Sequence, residues 1–109
     1  MLIETYSKHN YQIFKFAEDL GVAKDLAELK GIVKGYLDKD IVNIALWFTQ
    51  DSFLYTTSIG ILNQIIQMTT AKNGSLTIIK PNANIIDVLQ IVGLIKLVRT
   101  IRSEDDLPD

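Results

Sequence analysis

The chain has 109 residues, 48% hydrophobic and 22% charged, with eleven Lys and Arg against thirteen Asp and Glu. That length fits a single domain over residues 1–109 with one hydrophobic core. The absence of cysteine excludes disulfides, thiolate nucleophiles and cysteine-ligated metal, and a net charge of −2 without a basic run argues against nucleic acid as a partner.

In chain order, residues 2–6 and 11–17 are rich in β-branched and aromatic types and flank Ser7, Lys8, His9 and Asn10, which predicts a hairpin. The opening residues show no basic stretch followed by an apolar one. No apolar run approaches the ~20 residues that span a bilayer, so the expectation is a cytoplasmic protein without membrane insertion. From Val22 the apolar residues take helical spacing, with Val22, Leu26, Leu29, Val33 and Tyr36 on one stripe. Gly31 and Gly35 interrupt that helix, each at a cost of up to ~1 kcal/mol relative to alanine, and are expected to let another backbone approach closely.

Residues 41–49 are apolar at nearly every position and predict a central strand covered on both faces. A second helix is expected from about Thr57, with Ile59, Leu62, Ile65, Ile66 and Thr69 on its buried side and Lys72, Asn73 and Gly74 at its end. Residues 75–80 alternate and stop at Pro81, as a strand does. Asn84 then has the form of an N-cap, opening a short helix through Ile85, Val88, Leu89 and Val92 that Gly93 closes. Residues 98–102 predict a last strand, followed by Ser103 as the cap of a stunted helix whose acids, Glu104, Asp105 and Asp106, read together with Asp109 as a solvated terminus. Strands alternating with helices after an opening hairpin predict an α/β layer with a mostly parallel sheet.

No constellation of acid, base and nucleophile stands out, so no catalytic residues are assigned. His9 is the single histidine and lies in the expected turn, and no Gly-rich phosphate loop or zinc-hydrolase motif occurs. Neither cofactor nor metal is expected. The feature of interest is the hydroxyl cluster Thr56, Thr57 and Ser58 directly before a helix. These residues read as N-caps worth about 1 kcal/mol. They also read as acceptors for a phosphate that the positive end of the helix would tolerate, and both readings can hold at once. Tyr55 beside them suits a protein interface, whereas Phe53 and Leu54 are expected to plug the core, and Trp47 is expected to be core as well.

The order hairpin, helix, strand, helix, strand, helix, strand resembles the STAS domain, named for sulfate transporters and anti-sigma-factor antagonists. In that family a buried strand runs into a loop of the form Phe-hydrophobic-Asp-Ser-Ser-Gly-hydrophobic-Gly, and the matching stretch here is Phe53, Leu54, Tyr55, Thr56, Thr57, Ser58, Ile59, Gly60. Residues 71–76 are similar to the family's helix-to-strand junction, residues 88–98 to its Leu-x-x-x-Gly-Leu segment, and Asp19 with Leu26 to the start of its first helix.

The resemblance implies a STAS-like layer, a four- to five-stranded mixed sheet with helices packed against it. It also implies a module that acts as monomer or weak dimer. Its partner would be an anti-sigma factor of the serine-kinase type or another signalling protein, bound through Tyr55, Thr56, Thr57, Ser58 and Gly60. Phosphate would go to Thr56, with Thr57 or Ser58 as fallbacks. Two aspartates that the family commonly carries fall on Trp47 and Tyr55. Their loss points to the alternative, a non-phosphorylated scaffold or subunit of a signalling or transporter complex.

Overall fold

The computed structural model describes residues 3–19 and 23–108. Strands β1 (Ile3–Lys8) and β2 (Tyr11–Phe16) form the expected antiparallel hairpin, with Lys8 opposite Tyr11 and His9 in the left-handed conformation (φ 55°) that a two-residue turn demands. Helix α1 is described over Ala23–Leu37. The predicted first turn at Val22 lies outside the described residues. β3 (Asn43–Trp47), α2 (Thr56–Ala71), β4 (Ser75–Ile79), α3 (Ala83–Ile91) and β5 (Arg99–Ile101) follow, with a single 3₁₀ turn at Leu94–Lys96 and another at Glu104–Asp106. The sheet is five-stranded in the order β1-β2-β3-β4-β5, and every pairing after the hairpin is parallel.

That order determines where the core lies. Each β-α-β connection steps one strand in the same direction, and right-handed crossovers then place α1, α2 and α3 on the same face of the sheet. The large cluster of Phe14, Phe16, Ile44, Leu46 and Ile78 against Leu29, Val33, Leu62, Ile65 and Leu89 fills the space between them. Among the described residues no α-helix covers the opposite face. Tyr11, Ile13, Ala45 and Ile79 are nonetheless buried there, because the chain after β5 lays Leu107 across them. Glu104 and Asp105 reach the far edge, accepting hydrogen bonds from Tyr6 and Lys8 of β1. Glu104, Asp105 and Asp106 are therefore not a free tail, because a leucine three residues past Glu104 anchors them; Asp109 lies outside the described residues.

The helix ends follow local chemistry. Asn73 takes the left-handed conformation (φ 60°) after α2, its amide donating to the Thr70 carbonyl while that of Gly74 donates to Thr69 at 2.9 Å, the paired bonds of a Schellman motif. α3 is capped by Asn82 rather than Asn84, its side chain accepting from the Ile85 amide at 2.9 Å. Asn82 (φ −77°, ψ 171°) holds the extended conformation of an N-cap, two residues earlier than the Asn84–Asp87 spacing predicted.

Gly31 and Gly35 depart from expectation. Both are exposed, and a Cβ at either would meet nothing within 4 Å, so neither admits a neighbouring backbone. Each is a residual entropic cost in α1. Gly31→Ala and Gly35→Ala are expected to stabilise the protein by about 0.5–1 kcal/mol each. Calorimetry should find a midpoint higher by roughly 4–9 °C for the pair; a lower midpoint in both single variants would show that α1 needs its glycines.

Candidate functional site

The site lies at the carboxyl ends of the parallel strands. β3 delivers the chain into the core at Phe48, which stacks on Phe16 with ring centroids 5.2 Å apart. The following loop is held from three sides. The Thr49 hydroxyl donates to the Asp19 carboxylate and lies 2.7 Å from the Ser52 hydroxyl. The Asn82 side chain donates to the Gln50 and Ser52 carbonyls, both at 2.8 Å. Asn84 accepts from the Leu54 amide at 3.4 Å. Asp19 thus joins the loop after β2 to the loop after β3, and the asparagines join both to the start of α3; the stretch between Asp19 and Ala23, where Asp19 was expected to open α1, lies outside the described residues.

From Ser52 the backbone runs extended and its side chains alternate. Ser52 and Leu54 point inward, while Phe53 (46% exposed) and Tyr55 (53% exposed) point outward with their rings 5.1 Å apart. Phe53 was expected in the core and is instead a surface aromatic; only Leu54 is the plug. Trp47 is half-buried on the face away from the helices, where the Lys15 ammonium sits 4.2 Å from its ring centroid.

α2 begins without a side-chain cap. Its N-cap is Tyr55 (φ −86°, ψ 164°), whose hydroxyl is too distant to serve, and the first helical hydrogen bond runs from the Ile59 amide to the Tyr55 carbonyl at 3.0 Å. Thr56, Thr57 and Ser58 are therefore the first three helical residues and not caps. Their own amides lie ahead of the first helical bond, at the positive end of the helix. Thr56 and Thr57 are exposed, and so is Gly60 one turn on. Ser58 is 1% exposed, and its hydroxyl finds no hydrogen-bond partner. The structure thus brings Tyr55, Thr56, Thr57 and Gly60 to one surface and removes Ser58 from it. That much was present in the spacing, since Ser58 precedes Leu62 by four and Ile65 by seven, the stripe that faces the sheet.

Among the described residues no helix is long and apolar enough to cross a membrane, and no group of three His, Asp or Glu could hold a metal ion. The surface offers aromatic rings, hydroxyls and unpaired helical amides, the makings of protein contact and of anion tolerance.

A crystal structure from Thermotoga maritima, of a protein assigned as an anti-sigma factor antagonist (TM1081), superposes with a TM-score of 0.82 at 17% identity, covering 95% of this chain and 89% of that one. The anti-sigma factor antagonist SpoIIAA in its unphosphorylated form gives 0.73 at 10% identity, over 96% of this chain and 92% of the other. The Bacillus cell fate determinant SpoIIAA in the phosphorylated form gives 0.68 at 10% identity, over 96% and 95%. At these identities the likeness is one of fold. No curated protein matches the sequence significantly. The family model described as the STAS domain matches residues 7–107, nearly the whole chain, and the protein belongs to that family.

Proposed function

We propose that this chain is a cytoplasmic regulatory module that binds an anti-sigma factor of the serine-kinase type through Tyr55, Thr56, Thr57 and Gly60, and that Thr56 accepts phosphate from it. The carrying observation is the exposed Tyr55-Thr56 pair at an uncapped helix N-terminus. A phosphate there adds about −1.5 to −2 charges at the centre of the contact surface. The positive end of α2 holds it without unfolding the domain. Thr57 is the fallback acceptor; buried Ser58 becomes one only if α2 frays. With no assembly of acid, base and nucleophile, the reading is of a binding protein and not an enzyme.

Thr56→Asp, with roughly half the phosphate's charge, is expected to weaken binding to the purified kinase by about tenfold or more, while Thr56→Ala binds as the wild type does. Mass spectrometry after incubation with kinase and ATP should place phosphate within residues 52–60. If all three proteins bind alike and that peptide stays unmodified, the switch is refuted. The second reading, a non-phosphorylated scaffold or subunit of a signalling or transporter complex, then stands in its place. The observation that favours it is the loss of carboxylates at Trp47 and Tyr55, which leaves the neighbourhood of Thr56 with an aromatic surface.

A further inference from the structure

Where β4 ends, Lys80 takes a left-handed backbone conformation (φ 48°) while its amide donates to the Ile101 carbonyl of β5 at 2.6 Å. A lysine in that conformation gives up about 1 kcal/mol or more that glycine would not. The chain then turns at Pro81 into α3 and opens a cleft of about 470 Å3 lined by Lys80, Pro81, Ile86, Thr100, Ile101 and Arg102. The volume falls within the ~300–1,000 Å3 of small-molecule sites. It lies beyond the carboxyl ends of the parallel strands β4 and β5, beside the entry to α3.

The lining sets the chemistry. Lys80 and Arg102 are its charged residues, no carboxylate lines it, and among the described residues neither side chain makes an ion pair or hydrogen bond with another residue. A guanidinium grips an oxoanion with two parallel N–H donors, an ammonium adds a point charge, and the Thr100 hydroxyl is a further donor. Pro81, Ile86 and Ile101 make the remaining wall apolar, with no ring on which a nucleobase could stack. We infer that the cleft binds a small phosphate monoester, its phosphate between Lys80 and Arg102 and its apolar body against Pro81, Ile86 and Ile101. Occupancy is felt at the loop before Tyr55, because Asn82, two residues from Lys80, carries the hydrogen bonds to Gln50 and Ser52.

The test is an amide-detected NMR titration of the full chain with phenyl phosphate, alongside inorganic phosphate and the uncharged benzyl alcohol. Phenyl phosphate should saturate shifts at residues 80–86 and 99–102, extending to 50–54, with Kd below ~1 mM. Inorganic phosphate should bind about tenfold more weakly for want of the apolar contact, and benzyl alcohol should not saturate. Arg102→Gln and Lys80→Gln should each weaken phenyl phosphate by about tenfold or more, with thermal midpoints near the wild type. Unsaturable shifts, shifts confined to other surfaces, unchanged affinity in both variants, or benzyl alcohol binding as tightly as the ester would each overturn the inference. The titration needs no partner protein and leaves Thr56 untouched, so its failure does not bear on the regulatory reading.

Discussion

Gly74→Ala is expected to cost about 3 kcal/mol or more, a large share of the ~5–15 kcal/mol by which small proteins are stable. The reason is space and not backbone conformation. A Cβ on Gly74 would lie 1.9 Å from the Val42 carbonyl oxygen and 2.7 Å from both the carbonyl carbon and the Cβ of Val42. Backbone cannot swing aside as a flexible side chain can. Retreat is blocked on both flanks: the Gly74 amide closes α2 on the Thr69 carbonyl at 2.9 Å, and the Ser75 amide donates to Val42 at 3.1 Å, opening the β3–β4 ladder that pairs Asn43 with Ser75. Adding one methyl therefore forces a choice between the helix end and the register of the central strands. The control is Gly60→Ala, where a Cβ meets nothing within 4 Å and the change should stay within about 1 kcal/mol on the stabilising side. Urea unfolding of the two variants decides it. A loss below about 1 kcal/mol at Gly74 would show that the junction yields.

Elements were legible where a periodic stripe had a partner to face. Leu62, Ile65, Ile66 and Thr69 betray α2 by spacing alone, and the unbroken apolar run through Ile44 and Leu46 betrays a central strand. Single residues at element ends were legible less often, because their roles depend on what tertiary structure brings near. The spacing pointed to Asn84 as the cap; Asn82 takes it, and both reach the 50–54 loop, which only the fold places beside them. Asp19 and Thr49 lie thirty residues apart and meet because β2 and β3 are parallel neighbours ending side by side. Of the hydroxyl cluster, position in the chain identified all three members, but phase on the helix decides which are usable. Thr56 and Thr57 face solvent, and Ser58 falls on the buried stripe. The covering of the second sheet face left the weakest trace, a lone leucine after five polar residues, since no periodicity can be read from one side chain.

That leucine carries the second large effect. Leu107→Ala is expected to cost about 2–3 kcal/mol, the low end of the range for buried leucines because a terminal segment can partly readjust. Leu107 is 4% exposed, packed on Tyr11, Ile13, Ala45 and Ile79, and these lose their cover with it. The polar fastenings add little by themselves. Lys8 bonds to Asp105 at 2.6 Å and to Glu104 at 3.4 Å, holding the Asp105 carboxyl below and the Lys8 ammonium above their usual ranges, but exposed pairs of this kind contribute weakly. Tyr6 reports on the tail more directly. Burial, and then its hydrogen bond to Glu104 and the charge of that carboxylate, push its phenol up to about 12. Folding here favours the protonated phenol, so this contribution is fully present below pH ~10, the ordinary tyrosine value, and is lost as pH rises from there toward the folded value. Absorbance titration of the wild type should show a late phenol that Tyr6→Phe removes. In Leu107→Ala, once the tail no longer holds Glu104 against β1, that phenol should return toward the ordinary range while the helices stay folded by circular dichroism. An unchanged late phenol together with a stability loss below about 0.5 kcal/mol would mean that the sheet face is closed without the tail, and that Leu107 merely rests on it.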